Sequence, residues 1–449
     1  MKKLLALALT LCMLLSLCSF AAAEADKKLT IWTWDPTFNI AAMKVAKEMY
    51  QKEHPEVEID IQEVLSEDIE TKVITAASAG DLSTLPDILL VQDNSFQKFA
   101  TNYPEVYADL TDLYDYTDFA PAKVAYSTLN GRHFGIPFDA GTAIATYRTD
   151  YLAEAGYTIA DLTDIDWDRF LEIGRDVKAK TGRPMLSGQA GALDTVMMML
   201  QSCGSSMFTE EGSVNLKNNE ELKEVLGYYS TMVKEGIFIE VNTWDEYIGT
   251  LSNASVVGTI NGCWILGTIL SLDSQKGLWD LTNMPKLVKA ENATNYSNNG
   301  GSSWAVINGK DVELAVDFMK AYRNVDFYNT ILPTTSAIAT WAPAKEAPAY
   351  TAPNEFYNNQ PIFATIVEYT GKVPANITGA YYYDARSALG TAVTNYLNGG
   401  NLDSELATAE ETAHLGKNFH VVLGVGVDGN KHCAVLFGNF LNFCGEIIV

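Results

Sequence analysis

Apolar positions along the first hundred residues switch between a period of two and a period of 3.6. Residues 29–34 are extended and alternating, Asp35-Pro36 stops them, and Ala41, Ala42, Val45, Ala46, Met49 and Tyr50 then recur at helical spacing through 40–54. Val57-Glu58-Ile59-Asp60-Ile61 returns to the shorter period. This is a β-α-β start, and the right-handed crossover rule makes its two strands parallel neighbours. A second helix over 68–79, ended by Gly80, leads into the short apolar run 87–91, which suits a buried parallel strand. The opening of the chain therefore reads as α/β.

Further on, Asn130-Gly131 marks a hairpin turn and 143–147 a strand. Residues 167–180 form an amphipathic helix with Asp164 or Asp166 as its cap. Helices follow over the Met-rich 194–201 and over 220–235, the latter closed by Gly236. Val256-Val257-Gly258-Thr259-Ile260 favours a strand, Asn261-Gly262 is a turn dipeptide, and Trp264 lies where the chain leaves that strand. An indole in this position is either a core aromatic or a stacking platform. Residues 277–285 carry a strand, 292–303 are polar and glycine-rich as crossings are, 304–307 form a strand and 312–321 a helix. Three prolines within 343–353 mark another crossing, and 384–397 is the last strongly patterned helix. From 416 onward the β-prone pieces 420–425, 433–437 and 446–449 find no evident partner. They read as an appended hairpin or as a segment foreign to the fold.

Composition narrows the function. Lys2 and Lys3, the apolar run 4–20 and small residues at Ala21 and Ala23 read as a secretory signal cleaved after Ala23. Leu17 is too bulky for a lipidation signal at Cys18, so the chain is expected outside the cytoplasm without a lipid anchor. The net charge of −25 becomes −27 when the leader's two lysines are removed, which argues against a nucleic-acid partner. Beyond the leader, Cys203, Cys263, Cys433 and Cys444 and five scattered histidines form neither a disulfide framework nor a metal pattern, and no cofactor is expected. Rings beside acids and amides recur instead: Trp34 with Asp35, Trp264 after Asn261, Tyr382 with Asp384 and Arg386. Sugars present apolar C–H faces and hydroxyls, so stacking rings and hydrogen-bonding side chains are what a carbohydrate cleft requires.

Five markers occur in order: Leu29-Thr30-Ile31-Trp32-Thr33-Trp34-Asp35, Leu85-Pro86-Asp87-Ile88-Leu89-Leu90-Val91-Gln92-Asp93, Gly135-Ile136-Pro137-Phe138-Asp139, Thr259-Ile260-Asn261-Gly262-Cys263-Trp264 and Tyr381-Tyr382-Tyr383-Asp384-Ala385-Arg386. Over residues 29–415 this order resembles the sugar-binding extracellular solute-binding proteins of bacterial ABC importers. The resemblance implies a two-lobed α/β fold, each lobe a mixed or parallel sheet flanked by helices, joined by several crossing segments. Residues 26–139 with 298–345 would make one lobe and 140–297 with 346–415 the other, leaving 416–449 as a tail. It implies a monomer that binds a carbohydrate, an oligosaccharide above all, between the lobes and delivers it to membrane permease subunits, without catalysis. The ligand-binding residues it implies are Trp264 and Tyr382 as stacking rings, with Asp35, Asp93 and Asn94 as polar contacts. Trp34, Asp139, Trp304 and Arg386 join the candidates from their places beside the markers and crossings. The alternative is a secreted glycoside hydrolase using paired carboxylates.

Overall fold

The computed structural model describes residues 27–36 and 38–424, with side chains through Ala413. The expected leader, Cys18 and the pieces 433–437 and 446–449 lie outside the described residues.

The chain opens with β1 (Lys27–Thr33), α1 (Asn39–Tyr50), β2 (Val57–Glu63), α2 (Ser66–Ala79) and β3 (Ile88–Gln92). β1 buries Leu29, Ile31 and Thr33 on one face, the period of two seen in the sequence. It runs parallel to β2, with Leu29 opposite Ile59, and parallel to β3, with Ile31 opposite Ile88. β3 is buried from Ile88 through Val91, as its unbroken apolar run requires. After the short helix α3 (Pro121–Tyr126), β4 (Thr128–Leu129) and β5 (Arg132–His133) form the expected hairpin. Its turn residues Asn130 and Gly131 have φ of 52° and 75°, the left-handed pair of a tight two-residue turn. Next come β6 (Ile136–Pro137), β7 (Ala143–Arg148), α4 (Trp167–Thr181), β8 (Leu186–Gln189) and α5 (Asp194–Gln201). Asp166 caps α4, its carboxylate accepting from the Arg169 N–H. The principal elements that follow are α6 (Glu220–Lys234), β9 (Phe238–Val241), α7 (Trp244–Ser252), β10 (Gly258–Gly262), β11 (Trp279–Thr282), β12 (Ser302–Val306), α8 (Val312–Met319), α9 (Val325–Thr335), α10 (Ile362–Thr370), α11 (Tyr382–Leu397) and α12 (Leu402–Gly424).

Two sheets organise two lobes. The first has the order β2-β1-β3-β12-β6, and β12 enters antiparallel to both β3 and β6, so the chain leaves this lobe and comes back to complete it. The second is the antiparallel sheet β10-β7-β11, accompanied by the parallel pair β8-β9. Between them, residues 138–143 and 297–302 run side by side. Phe138 N–H donates to Ser302 O (3.2 Å), Asn299 N–H to Gly141 O (2.6 Å) and Ala143 N–H to Ser297 O (2.8 Å), while Ala140 N–H reaches Ile338 O (3.0 Å). Gly300 and Gly301 have φ of 85° and 101°, a conformation that side chains resist, and this is why the glycine pair sits where the chain turns into β12.

Four expectations are corrected. Asn261-Gly262 is not a turn: both residues lie in β10, opposite Ile144 and Ala143, and the chain turns one residue later in a short helical turn over Cys263–Ile265. The proline-rich stretch 343–353 forms helical turns whose Tyr350 is fully buried and packs with α9 and α10 rather than spanning a gap. Trp32, whose place inside a strand makes it a core residue by sequence, is only half-buried and donates its indole N–H to Gln62 Oε1. The β-prone piece at 420 is helical through Gly424, because α12 continues past 416.

Candidate functional site

The lobes meet over a cavity whose walls come from six places in the chain. The first lobe contributes Asn94, just after β3, and Tyr126 at the end of α3. The second contributes Met197, Leu200 and Gln201 of α5, Ser205 to Met207 beyond it, Asn376, and Tyr382 at the start of α11. The crossing segment contributes Asn298, Asn299 and Gly300. The wall therefore carries amides, hydroxyls, rings and thioethers, and none of the described lining residues is ionisable as an acid or base at neutral pH. The cavity measures about 20 Å³, room for a water molecule or two, between walls that touch. Direct bonds span the closure: Tyr383 O–H donates to Gln92 Oε1 (2.6 Å), and Asn376 Nδ2 to the Tyr126 hydroxyl (3.2 Å).

Trp264 stands beside this cavity, oriented by the crossing segment. Its indole N–H donates to Asn299 O (2.8 Å), and the Asn299 amide donates to Asn261 Oδ1 (2.8 Å). Asn261 in turn donates to the Tyr247 hydroxyl (3.0 Å). The indole lies so close to the Gly262 backbone that any side chain there would collide with it, which gives the glycine of this motif a steric reason. The half-exposed Trp244, first residue of α7, approaches Trp264 at 5.6 Å between ring centroids with a 44° tilt.

The other predicted residues separate into distinct places. Asn94 and Tyr382 line the cavity, and Asn94 Oδ1 is buried without a hydrogen-bond partner. Arg386 stands behind Tyr382 on α11, donating to Ala192 O (2.7 Å) and pairing with Asp194 (2.5 Å), so it braces the wall. Asp93 and Asp139 lie beneath the wall rather than in it. Asp93 is 1% exposed, and its two oxygens accept from Lys123 Nζ (2.5 Å) and Ser303 Oγ (2.9 Å). Asp139 is 4% exposed, and its Oδ1 accepts from Ser302 N–H (2.8 Å) and Oγ (2.7 Å). Burial pushes the Asp93 carboxyl up to about 6 against the pull of Lys123, and neighbouring Asp139 adds to the rise. Trp34 is half-buried against the first lobe, and Asp35, at φ 58°, accepts from the Phe38 N–H (3.1 Å) ahead of α1. Neither belongs to the cavity lining.

Trp304 is a correction. On β12 it is fully buried between Phe138 (5.7 Å) and Tyr322 (6.2 Å), because alternate residues of a central strand face the helices that cover the sheet. It is core, not ligand surface. Sequence reasoning missed Lys123, Tyr126, Gln201, Ser205, Ser206 and Asn376. A lysine on a short helix reads as solvated, and single amides and hydroxyls carry no periodic signal. Only the Asn298-Asn299-Gly300-Gly301 run was visible, as a crossing.

The profile of the family described as bacterial extracellular solute-binding protein matches residues 45–365. A lactose-binding protein of Rhizobium radiobacter is 36% identical over 400 residues, 88% of this chain and 94% of that protein. An arabinooligosaccharide-binding protein of Bacillus subtilis is 26% identical over 337 residues, 71% of this chain and 76% of its own. Among solved structures, an extracellular solute-binding protein of family 1 superposes with a TM-score of 0.74 at 20% identity, over 87% of this chain and 99% of the other.

Proposed function

The chain belongs to the bacterial extracellular solute-binding proteins, and from that membership we propose that it is the extracytoplasmic sugar-binding component of an ABC importer. It takes a neutral disaccharide or short oligosaccharide between its lobes and passes it intact to membrane permease subunits. The observation that carries this reading is the cavity wall: stacking rings and uncharged hydrogen-bonding groups drawn from both lobes and from the segment that joins them. Such groups satisfy hydroxyls and C–H faces without requiring a charge on the ligand. The likeness to a lactose-binding protein makes a β-galactoside disaccharide the first ligand to test. Asn94 Oδ1 is an acceptor awaiting a donor in the wall, a role that a sugar hydroxyl fills.

Trp264, Tyr382 and Asn94 are the proposed contacts, with Arg386 bracing Tyr382. The two sheets with their helices make the proposed lobes, whose closure traps the ligand because only the closed form lets both walls touch it. The protein acts as a monomer outside the cytoplasm. The hydrolase reading finds less support: Asp93 and Asp139, the carboxylates beneath the wall, are held by Lys123, Ser302 and Ser303 rather than facing across the cavity. Calorimetric titration of refolded, ligand-stripped protein tests the proposal. Lactose and neutral oligosaccharides are compared with their carboxylated analogues. Saturable binding of a neutral sugar with loss of binding to its acid analogue is expected; preference for the acid would contradict it.

A further inference from the structure

The buried cluster beneath the wall joins pieces that ligand binding needs in register. Lys123 lies on α3, is 6% exposed, and donates to Asp93 Oδ2 (2.5 Å) and to Ser302 O (2.6 Å). Asp93 directly precedes Asn94 of the wall, and its N–H donates to Gly301 O (3.1 Å). Asp139, on the neighbouring crossing strand, holds the N–H and hydroxyl of the same Ser302. One ammonium and two carboxylates thus grip Ser302 and Ser303 just after the Gly300-Gly301 turn. Tyr126 is one turn further along the same helix as Lys123 and lines the cavity.

The charges do not balance. Lys123 is one cation against two buried acids, with the phenols of Tyr126 on α3 and Tyr383 on α11 near Asp93, and Tyr322 and Cys263 near Asp139. A buried arrangement of this kind is expensive to break and adds less to stability than packed apolar groups of the same size, so its value lies in fixing geometry.

We propose that Lys123 is a positioning residue for sugar binding: by tying Asp93 to the Ser302 carbonyl it holds Asn94 and Tyr126 in register with the Asn298–Gly300 segment. This rests on the sugar-binding reading above. Without the ammonium, α3 and its Tyr126 lose their tie to the end of β3 and to the crossing segment, and the closed form meets its ligand with mismatched contacts.

The test compares wild type with Lys123→Met, Asp93→Asn and the double variant Lys123→Met/Asp93→Asn, using full mature protein and whichever sugar wild type binds. Lys123→Met leaves two acids without their cation and is expected to lower Tm sharply. The double variant removes one of those acids, so its Tm should recover most of the loss. Its affinity should stay about tenfold or more below wild type, the loss expected for removing a charge-assisted hydrogen bond that acts only on register. A merely structural lysine predicts that affinity returns together with Tm, and that result overturns the proposal. A second readout needs no ligand: hydrogen exchange at the Asp93 and Ser302 amides should quicken about tenfold or more in the double variant if the tie holds the segment. Unchanged exchange at both overturns the proposal even if wild type binds no sugar, whereas absence of sugar binding alone overturns the functional reading.

Discussion

Replacing Trp264 by alanine separates the two roles its position allows. The indole is half-buried, fixed by its N–H to Asn299 O and leaning on Trp244, so one ring face is the part available to a sugar. Taking that face as roughly 80 Å² of apolar surface, at ~25 cal/mol per Å², gives about 2 kcal/mol, or about a thirtyfold loss of affinity. Trp264→Phe keeps a ring but loses the N–H that sets its angle. It should therefore fall between the two, about fivefold weaker than wild type, the cost of one neutral hydrogen bond. Isothermal titration with the cognate sugar measures both variants, and urea unfolding reports stability separately. If Trp264→Ala folds and binds within twofold of wild type, the indole is packing alone and the cleft has been placed wrongly.

Trp304→Ala should behave in the opposite sense, destabilising the first lobe by about 3–5 kcal/mol through the cavity it leaves, with affinity unchanged where the variant remains folded; urea unfolding and titration read the two effects. Tyr383→Phe deletes the bond to Gln92 across the closed lobes, and a loss of ~0.5–1.5 kcal/mol should speed ligand release two- to tenfold in stopped-flow displacement. Asp93 gives a pH signature. Its carboxyl is raised from 3.8 to about 6 in the folded protein, so between those values the folded state binds more protons than the unfolded chain. Stability from this group is therefore greatest below about pH 4 and declines as pH rises towards 7, by roughly 3 kcal/mol at most for a shift of about two units. Urea midpoints across that range should flatten in Asp93→Asn; an unchanged slope contradicts the assignment.

The first lobe was legible because its signals are local. The alternation in β1, the helical spacing of α1 and the unbroken apolar run of β3 each arise from burial of one face or both, and burial leaves a period. The proposed cleft is legible only where a motif concentrates it. Trp264 stood out because a β-branched strand, a glycine and an indole occur together, although Asn261-Gly262 misled as a turn: strand pairing with β7 overrode its local preference. Trp304 misled for a different reason. A glycine-rich crossing suggested a cleft, but the strand that follows it is central, and both of its faces are covered. Lys123 and Tyr126 on one short helix, Gln201 and Asn376 come from three separated stretches, and only the folded chain brings them together. The continuation of α12 to Gly424 was hidden because β-branched residues at 421 and 422 read as strand without regard to the helix already under way.

The most direct test of the account is titration of ligand-stripped mature protein with lactose, followed by chromatography of the recovered sugar. Saturable one-to-one binding is expected, weakened about thirtyfold by Trp264→Ala, with the disaccharide recovered whole. Release of galactose and glucose would contradict it. So would a folded protein that binds neither lactose nor any neutral oligosaccharide.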